Sequence, residues 1–245
     1  MNREQISRLA HADHPIAAPL DDESVRRLLD RALPQGGSRV LDLGCGGGEW
    51  LLRALATYPK SQAEGVDIAE SALAHARESA EELGVQDRLV LHREDAAEFN
   101  SPHAFDLVIS VGATHAFGGL LPTLAAAREH LAPGGRVLVG DGFWAQKPSP
   151  EAVEMLGELT DLPTLMDHVT ADGWMPVHGH ISTRQELDDY EWAWTGSLTS
   201  WALDNPDDPD RCEAITTANT HRAEWLRVYR DVFGFVSLIL RPTSD

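Results

Sequence analysis

Apolar and polar positions along the first 145 residues follow two rhythms in turn. Val25, Leu28, Leu29 and Ala32 recur at helical spacing after Asp21 or Asp22, either of which can cap a helix. Pro34-Gln35-Gly36-Gly37 is expected to end that helix. Residues 39–43 then form a short apolar run of the kind found in buried strands, and Leu51, Leu52 and Leu55 restore helical spacing over 49–58. The alternation continues with a strand at 63–68 and a helix at 70–83 that Gly84 stops. Strands follow at 88–92 and 105–111, then a helix at 119–131. A tight turn at Pro133-Gly134-Gly135 leads into a fifth strand at 136–140. Five strands alternating with helices predict a parallel sheet covered by helices on both faces.

The rhythm changes after Asp141. Residues 150–160 read as a helix, 174–182 as a strand and 184–203 as a long helix. An acidic loop spans 204–210, with Pro209 suited to the first turn of a helix that runs to about Phe233. A strand at 235–240 closes the chain. Tyr190, Trp194 and Trp201 share one helical face and Trp192 points elsewhere; that face either packs on the sheet and forms core or makes an aromatic wall of a substrate lid.

The glycines of the first loop carry the strongest chemical signal. They stand at Gly44, Gly46 and Gly48 in Asp42-Leu43-Gly44-Cys45-Gly46-Gly47-Gly48, between a strand and a helix. A dinucleotide fingerprint would place its third glycine at position 49, which is Glu49, and no Lys-Ser/Thr pair follows to make a phosphate loop. The segment instead resembles the first motif of class I S-adenosylmethionine (SAM)-dependent methyltransferases, Asp/Glu-x-Gly-x-Gly-x-Gly. In that family the loop backbone lies against the methionine part of SAM and the acid, here Asp42, meets its amino group. The resemblance implies that Cys45, Gly46, Gly48 and Val111 also line the cofactor. It places Asp67, which ends the second strand, on the ribose and Ile68 on the adenine. Asp67 as a plain helix cap is the competing reading, with Glu70 and Ser71 as rivals for that role. Glu94-Asp95-Ala96 resembles the adenine-binding turn, so Asp95 would take the adenine amino group and Ala96 would offer its backbone; alternatively Asp95 is a surface acid. Phe105–Ser110 and Leu131–Leu138 resemble the fourth strand and the turn into the fifth.

The fold this implies is α/β and Rossmann-like, with seven mostly parallel strands, helices on both faces and an added helical cover. The C-terminal strand would be antiparallel, beside strand five. A single methyltransferase domain would occupy residues 1–245. Its parts would be an extension and helix at 1–35, a SAM-binding core at 36–145, helical insertions and strand six at 146–233, and the last strand at 234–245.

Acceptor chemistry should gather at the carboxyl ends of strands four and five. Strand four leads into Gly112-Ala113-Thr114-His115-Ala116-Phe117. This lacks the Asn-Pro-Pro-Tyr type of motif of amino-group DNA methyltransferases, the Pro-Cys of cytosine-C5 enzymes and the metal-binding Asp of catechol-type enzymes. A metal-independent reaction is therefore expected. His115 and Asp141 are candidate proton acceptors, against readings as a pocket-lining histidine and a loop cap. His14, Thr114, Trp144, Tyr190 and Trp194 are candidate acceptor-lining residues; His14 either reaches the site or stands in solvent. Segments 111–119, 189–193 and 203–208 resemble one group of bacterial class I methyltransferases whose substrates are largely unassigned.

Composition narrows the partner. The chain of 245 residues has 39 acids against 20 bases, a net charge of −19. That argues against gripping nucleic acid or an anionic membrane. Between positions 151 and 213 there are 15 acids and 2 bases, which favours a neutral or cationic acceptor over an anionic one. Two cysteines, no signal-peptide pattern and no apolar run of membrane-spanning length make the cytoplasm the expected compartment. The reading is a SAM-dependent methyltransferase acting on an O, N or C atom of a small molecule. The alternatives are a protein or RNA methyltransferase and a non-catalytic SAM-binding module.

Overall fold

In a computed structural model, residues 1–33 and 37–243 are described; the helix-ending Pro34-Gln35-Gly36 lies outside them. Nine α-helices and seven strands occur among them. The strands are β1 (Arg39–Leu43), β2 (Gln62–Asp67), β3 (Leu89–Arg93), β4 (Phe105–Val111), β5 (Leu131–Trp144), β6 (Trp174–Ile181) and β7 (Phe233–Pro242). They form one sheet in the order β3-β2-β1-β4-β5-β7-β6, so the last strand lies beside β5 as the sequence suggested. The sheet is mostly parallel, and β1 through β5 pair in parallel register. Val40, Leu41, Leu43, Leu107, Val108, Ile109, Val137 and Leu138 are almost fully buried, as strands covered on both faces require.

The helices are α1 (Arg3–Ala10), α2 (Asp22–Ala32), α3 (Glu49–Thr57), α4 (Glu70–Glu82), α5 (Leu120–Glu129), α6 (Pro150–Leu156), α7 (Leu162–Ala171), α8 (Arg184–Asp204) and α9 (Arg211–Glu224). Asp21, not Asp22, caps α2 by accepting from the Ser24 N–H. The side chains of Thr183 and Glu186 form a reciprocal capping box at the start of α8.

Several boundaries depart from expectation, among them the last helix, which ends at Glu224 and passes through a π turn, Trp225–Tyr229, before Phe233 opens β7. β5 has 14 residues, not five. Its pairing with β4 jumps from Phe105↔Leu131 to Leu107↔Arg136, so the Pro133-Gly134-Gly135 turn is a bulge within the strand. Trp144 is therefore the final residue of β5, 7% exposed, and bridges to Asp161. The helix expected over 150–160 stops at Leu156, and a separate helix, α7, starts at Leu162 behind Asp161, which accepts from the Thr164 N–H. Pro209 precedes the N-cap Asp210 and lies outside α9.

The chain divides into two compact units. One comprises Asp21–Asp141, Met166–His180 and Val236–Asp245, and holds most of the sheet. Within it Trp174 is fully buried, with the Arg128 guanidinium 4.2 Å over its ring. The other comprises Met1–Leu20, Gly142–Leu165 and Ile181–Phe235. Its helical core is Ala10, Leu198, Ala202, Ala214 and Ala218, with Ile6, Leu9, Trp194 and Trp201 packed against it. The small residues let α1, α8 and α9 approach closely. The tryptophan face of α8 thus packs on helices, where the sequence reading had it on the sheet. Two glycine–aromatic contacts join this unit's segments: Phe233 lies over Gly142, and Phe143 over Gly234.

Candidate functional site

In the sheet-bearing unit the residues singled out from the glycine loop and the strand ends come together. The chain leaves β1 at Leu43 and turns through Gly44, Gly46 and Gly48, all at positive φ, before α3 begins. The Gly44 and Cys45 amides both donate to the Val66 carbonyl at 2.9 Å, tying the loop to β2. The Gly46 N–H donates to Asp67 Oδ2 at 2.8 Å, and the Ala69 N–H to Oδ1 at 2.9 Å. Asp67 therefore does cap the turn into α4, yet each carboxylate oxygen keeps a lone pair for a further donor. The capping and ligand readings of Asp67 are compatible.

Asp42 is the unusual member. It is 2% exposed, and its Oδ2 has no hydrogen-bond partner among the described residues. Burial first, and the neighbouring Asp67 charge second, push its carboxyl up to about 8. A buried carboxyl with an orphaned oxygen beside a second carboxylate calls for a cation. The Cys45 thiol is buried as well, and burial with the same two acids raises its pKa strongly. It is an inert wall, not a nucleophile.

Farther along the sheet, Ile68 is 69% exposed, a bare apolar side chain next to Asp67. Asp95 is exposed and accepts from the Ala97 N–H through Oδ1, and Ala96 is buried. Val111 is buried at the end of β4. Beyond it, Thr114 opens a 3-10 turn, Thr114–Phe117, and its hydroxyl donates to Asp141 Oδ1 at 3.2 Å. This ties the turn after β4 to β5 at Asp141, which lies within the strand and not at its end, because β5 continues to Trp144. His115, on the same turn, is exposed.

The remaining candidates belong to the helical unit. His14 donates through Nδ1 to the Ile16 carbonyl, and its ring meets Tyr190 edge-on at 5.3 Å. The Tyr190 hydroxyl bonds His11 Nε2 at 3.0 Å; Nδ1 of His11 faces the Ser7 carbonyl and carries the proton, so Tyr190 is the donor. Burial lowers the His11 pKa and raises that of Tyr190. Trp194 stacks on His221 with centroids 4.0 Å apart. Neither histidine had been singled out, nor had Glu191, which binds His221 and Tyr229. Partners 30, 38 and 179 residues apart leave no local spacing to read. Trp144, expected to lie beyond strand five and open to ligand, is instead enclosed.

Comparison with known proteins places this geometry. Residues 34–193 match the family model described as a methyltransferase domain. A SAM-dependent methyltransferase from Geobacter sulfurreducens, crystallised with S-adenosyl-L-homocysteine (SAH), is 28% identical; the match covers 97% of this chain and 98% of that one, with a TM-score of 0.89. YjhP of Escherichia coli is 28% identical over 96% of this chain and 97% of its own length. The 27-O-demethylrifamycin SV methyltransferase of Amycolatopsis mediterranei is 36% identical over 54% of this chain and 50% of its own. The chain belongs to this methyltransferase-domain family. It is a SAM-dependent enzyme, and the orphaned oxygen of Asp42 fits a cofactor that presents an ammonium group.

Proposed function

We propose that this enzyme methylates an oxygen, nitrogen or carbon atom of a small molecule in the cytoplasm, without a metal. The observation that carries the cofactor half is the buried, unsatisfied Asp42 beside the glycine loop. Asp42 would hold the amino group of the methionine part, and the amides and small side chains of Gly44, Cys45, Gly46 and Gly48 let the ligand lie against backbone. Asp67 would accept from the ribose hydroxyls with its remaining lone pairs, Ile68 would cover one adenine face, and Asp95 would accept from the adenine amino group beside Ala96. Val111 closes the floor at the strand end. When bound, the cofactor supplies a methyl group already activated on a sulfonium.

The rest falls to this chain's own side chains. Asp141 would take the proton released by an acceptor O–H or N–H, with Thr114 fixing its carboxylate through the 3.2 Å bond. His115, exposed on the turn, would line the approach without taking that proton. A small acceptor is supported by the Amycolatopsis relative, whose name gives a small-molecule substrate. The acidic surface also supports it, because nucleic acid is repelled.

Asp141→Asn tests the acceptor half. With a low-molecular-weight cell extract as acceptor pool and labelled SAM, turnover should fall about 100-fold, the loss typical of a missing general base. Calorimetric SAH affinity should stay within about threefold. Unchanged turnover would remove Asp141 from the chemistry.

A further inference from the structure

The sheet-bearing unit carries a group of basic side chains that the cofactor chemistry leaves unused. Arg27 and Arg31 stand at i and i+4 on α2, so both project from one face of the helix, and both are exposed. Arg136 on β5 is half-buried and donates through Nη1 to the carbonyl of Arg31, in the last turn of α2. Arg241 is on β7, the strand beside β5, and the half-buried His178 is on β6, the strand beyond it. All five residues belong to this one unit.

Their charge sets them apart. The chain has 39 acids against 20 bases, and other arginines of this unit are paired with carboxylates. Arg26 meets Glu23 and Asp30, Arg53 meets Asp22 and Glu49, and Arg77 meets Glu70. Arg27, Arg31, Arg136 and Arg241 have no carboxylate partner among the described residues; Arg27 donates to the Ser24 hydroxyl instead. These basic groups act on one another. Burial first and Arg241 second lower the Arg136 pKa, and burial first, then Arg31, His180 and Arg27, lower that of His178. Like charges gathered this way work against folding, and a half-buried guanidinium without a counter-ion is costly. An arginine has five N–H donors, and Arg136 spends one on the Arg31 carbonyl.

We infer that this patch is a binding site for a small, multiply charged phosphate compound. Guanidinium forks match phosphate oxygens in pairs, and here several converge with no carboxylate competing for them. The size of the ligand follows from how charge is distributed. At physiological salt a charge acts over about 8 Å, so a small anion feels the patch and little else. A nucleic acid or an anionic membrane would reach past it, over a chain of net charge −19. The site is distinct from the cofactor residues. Along β5, Arg136 precedes Asp141 by about 16 Å of extended strand, toward the amino end of the parallel strands. The cofactor chemistry belongs to the carboxyl ends. The assignment does not rest on the small-molecule methyltransferase reading.

The test is calorimetric titration of the full chain near neutral pH, in a phosphate-free buffer of low ionic strength. Inorganic pyrophosphate is the probe and acetate the singly charged control. Pyrophosphate should bind one to one, and acetate should give no saturable heat. Arg241→Gln, at an exposed position, should weaken pyrophosphate at least tenfold, the loss of a charge-assisted pair. Arg136→Gln should do the same, with thermal melting to show that both variants fold. Arg26→Gln, on the same helix but paired with Glu23 and Asp30, should leave pyrophosphate affinity unchanged. Pyrophosphate that fails to saturate below about 10 mM, or binds Arg241→Gln as well as wild type, overturns the site. A short RNA or phosphatidylserine vesicles binding through Arg241 more tightly than pyrophosphate would overturn the small-ligand assignment.

Discussion

Replacing Gly44 with alanine should cost the protein about 2–5 kcal/mol and reduce SAH binding at least 100-fold, two effects with one origin. Gly44 sits at φ +85°, where a Cβ strains the backbone, and that Cβ would fall 2.5 Å from the Ala113 Cβ. Left-handed geometry accounts for about 1–2 kcal/mol and overpacking for about 1–3. The only relief is to move the loop away from β4, which also pulls the Gly44 and Cys45 amides off the Val66 carbonyl. Gly46 is the internal control. It shares the positive φ, at +51°, but a Cβ there meets nothing within 4 Å. Gly46→Ala should therefore show only the conformational cost of left-handed geometry, about 1–2 kcal/mol of stability. Urea unfolding of the two ligand-free variants separates the clash from the strain; equal losses of stability would remove the contact with Ala113 from the account.

Asp42→Asn should lower SAH affinity on the order of 100-fold, the worth of a charge-assisted hydrogen bond in a buried site. It should also make the ligand-free protein more stable at pH 8. The native carboxyl is raised from 3.8 to about 8, first by burial and then by Asp67. A group raised on folding holds its proton in the native state while the unfolded chain loses it. Its contribution to stability is full below pH 3.8 and is lost as pH rises through about 8. Asparagine does not titrate, so the variant escapes that loss and should melt higher than wild type near pH 8. The same reasoning fixes the pH dependence of binding. An ammonium beside Asp42 favours the carboxylate, so wild-type SAH binding below pH 8 should release close to one proton and tighten up to about tenfold per pH unit toward pH 8. Calorimetry in buffers of different ionisation enthalpy counts that proton. Binding without proton release, or an Asn variant of wild-type affinity, would detach Asp42 from the ligand.

The sheet-bearing half was readable because its signals are local. β1 and β4 fall where their apolar runs lie, and β2 and β3 are displaced by one residue, since neither Ile68 nor Arg88 extends its strand. Asp42, the glycines and Asp67 were found because one strand–turn–helix places them near each other in sequence. β5 was underestimated because Pro133, Gly134 and Gly135 read as a full stop, whereas the strand resumes its partner through a bulge. α7 does carry a local signal, with Asp161 as cap and Pro163 in the first turn. α1 had one too, in the Asn2–Gln5 capping box. The Glu191–His221–Tyr229 cluster had none. Its members meet only after two helices pack, and the π turn that aligns Tyr229 has no sequence mark. The small residues Ala202, Ala214 and Ala218, which set how closely those helices approach, look unremarkable as sequence. Trp144 misled because an aromatic residue just past an expected strand end looks exposed, and the longer β5 buries it.

The most direct measurement is the destination of the methyl group. Purified protein is incubated with methyl-tritiated SAM and a cell extract, and the products are separated into low-molecular-weight, protein and RNA fractions. The account predicts label in the low-molecular-weight fraction, matched mole for mole by SAH. Label in protein or RNA, or SAH bound with no methyl transferred to any fraction, would contradict it.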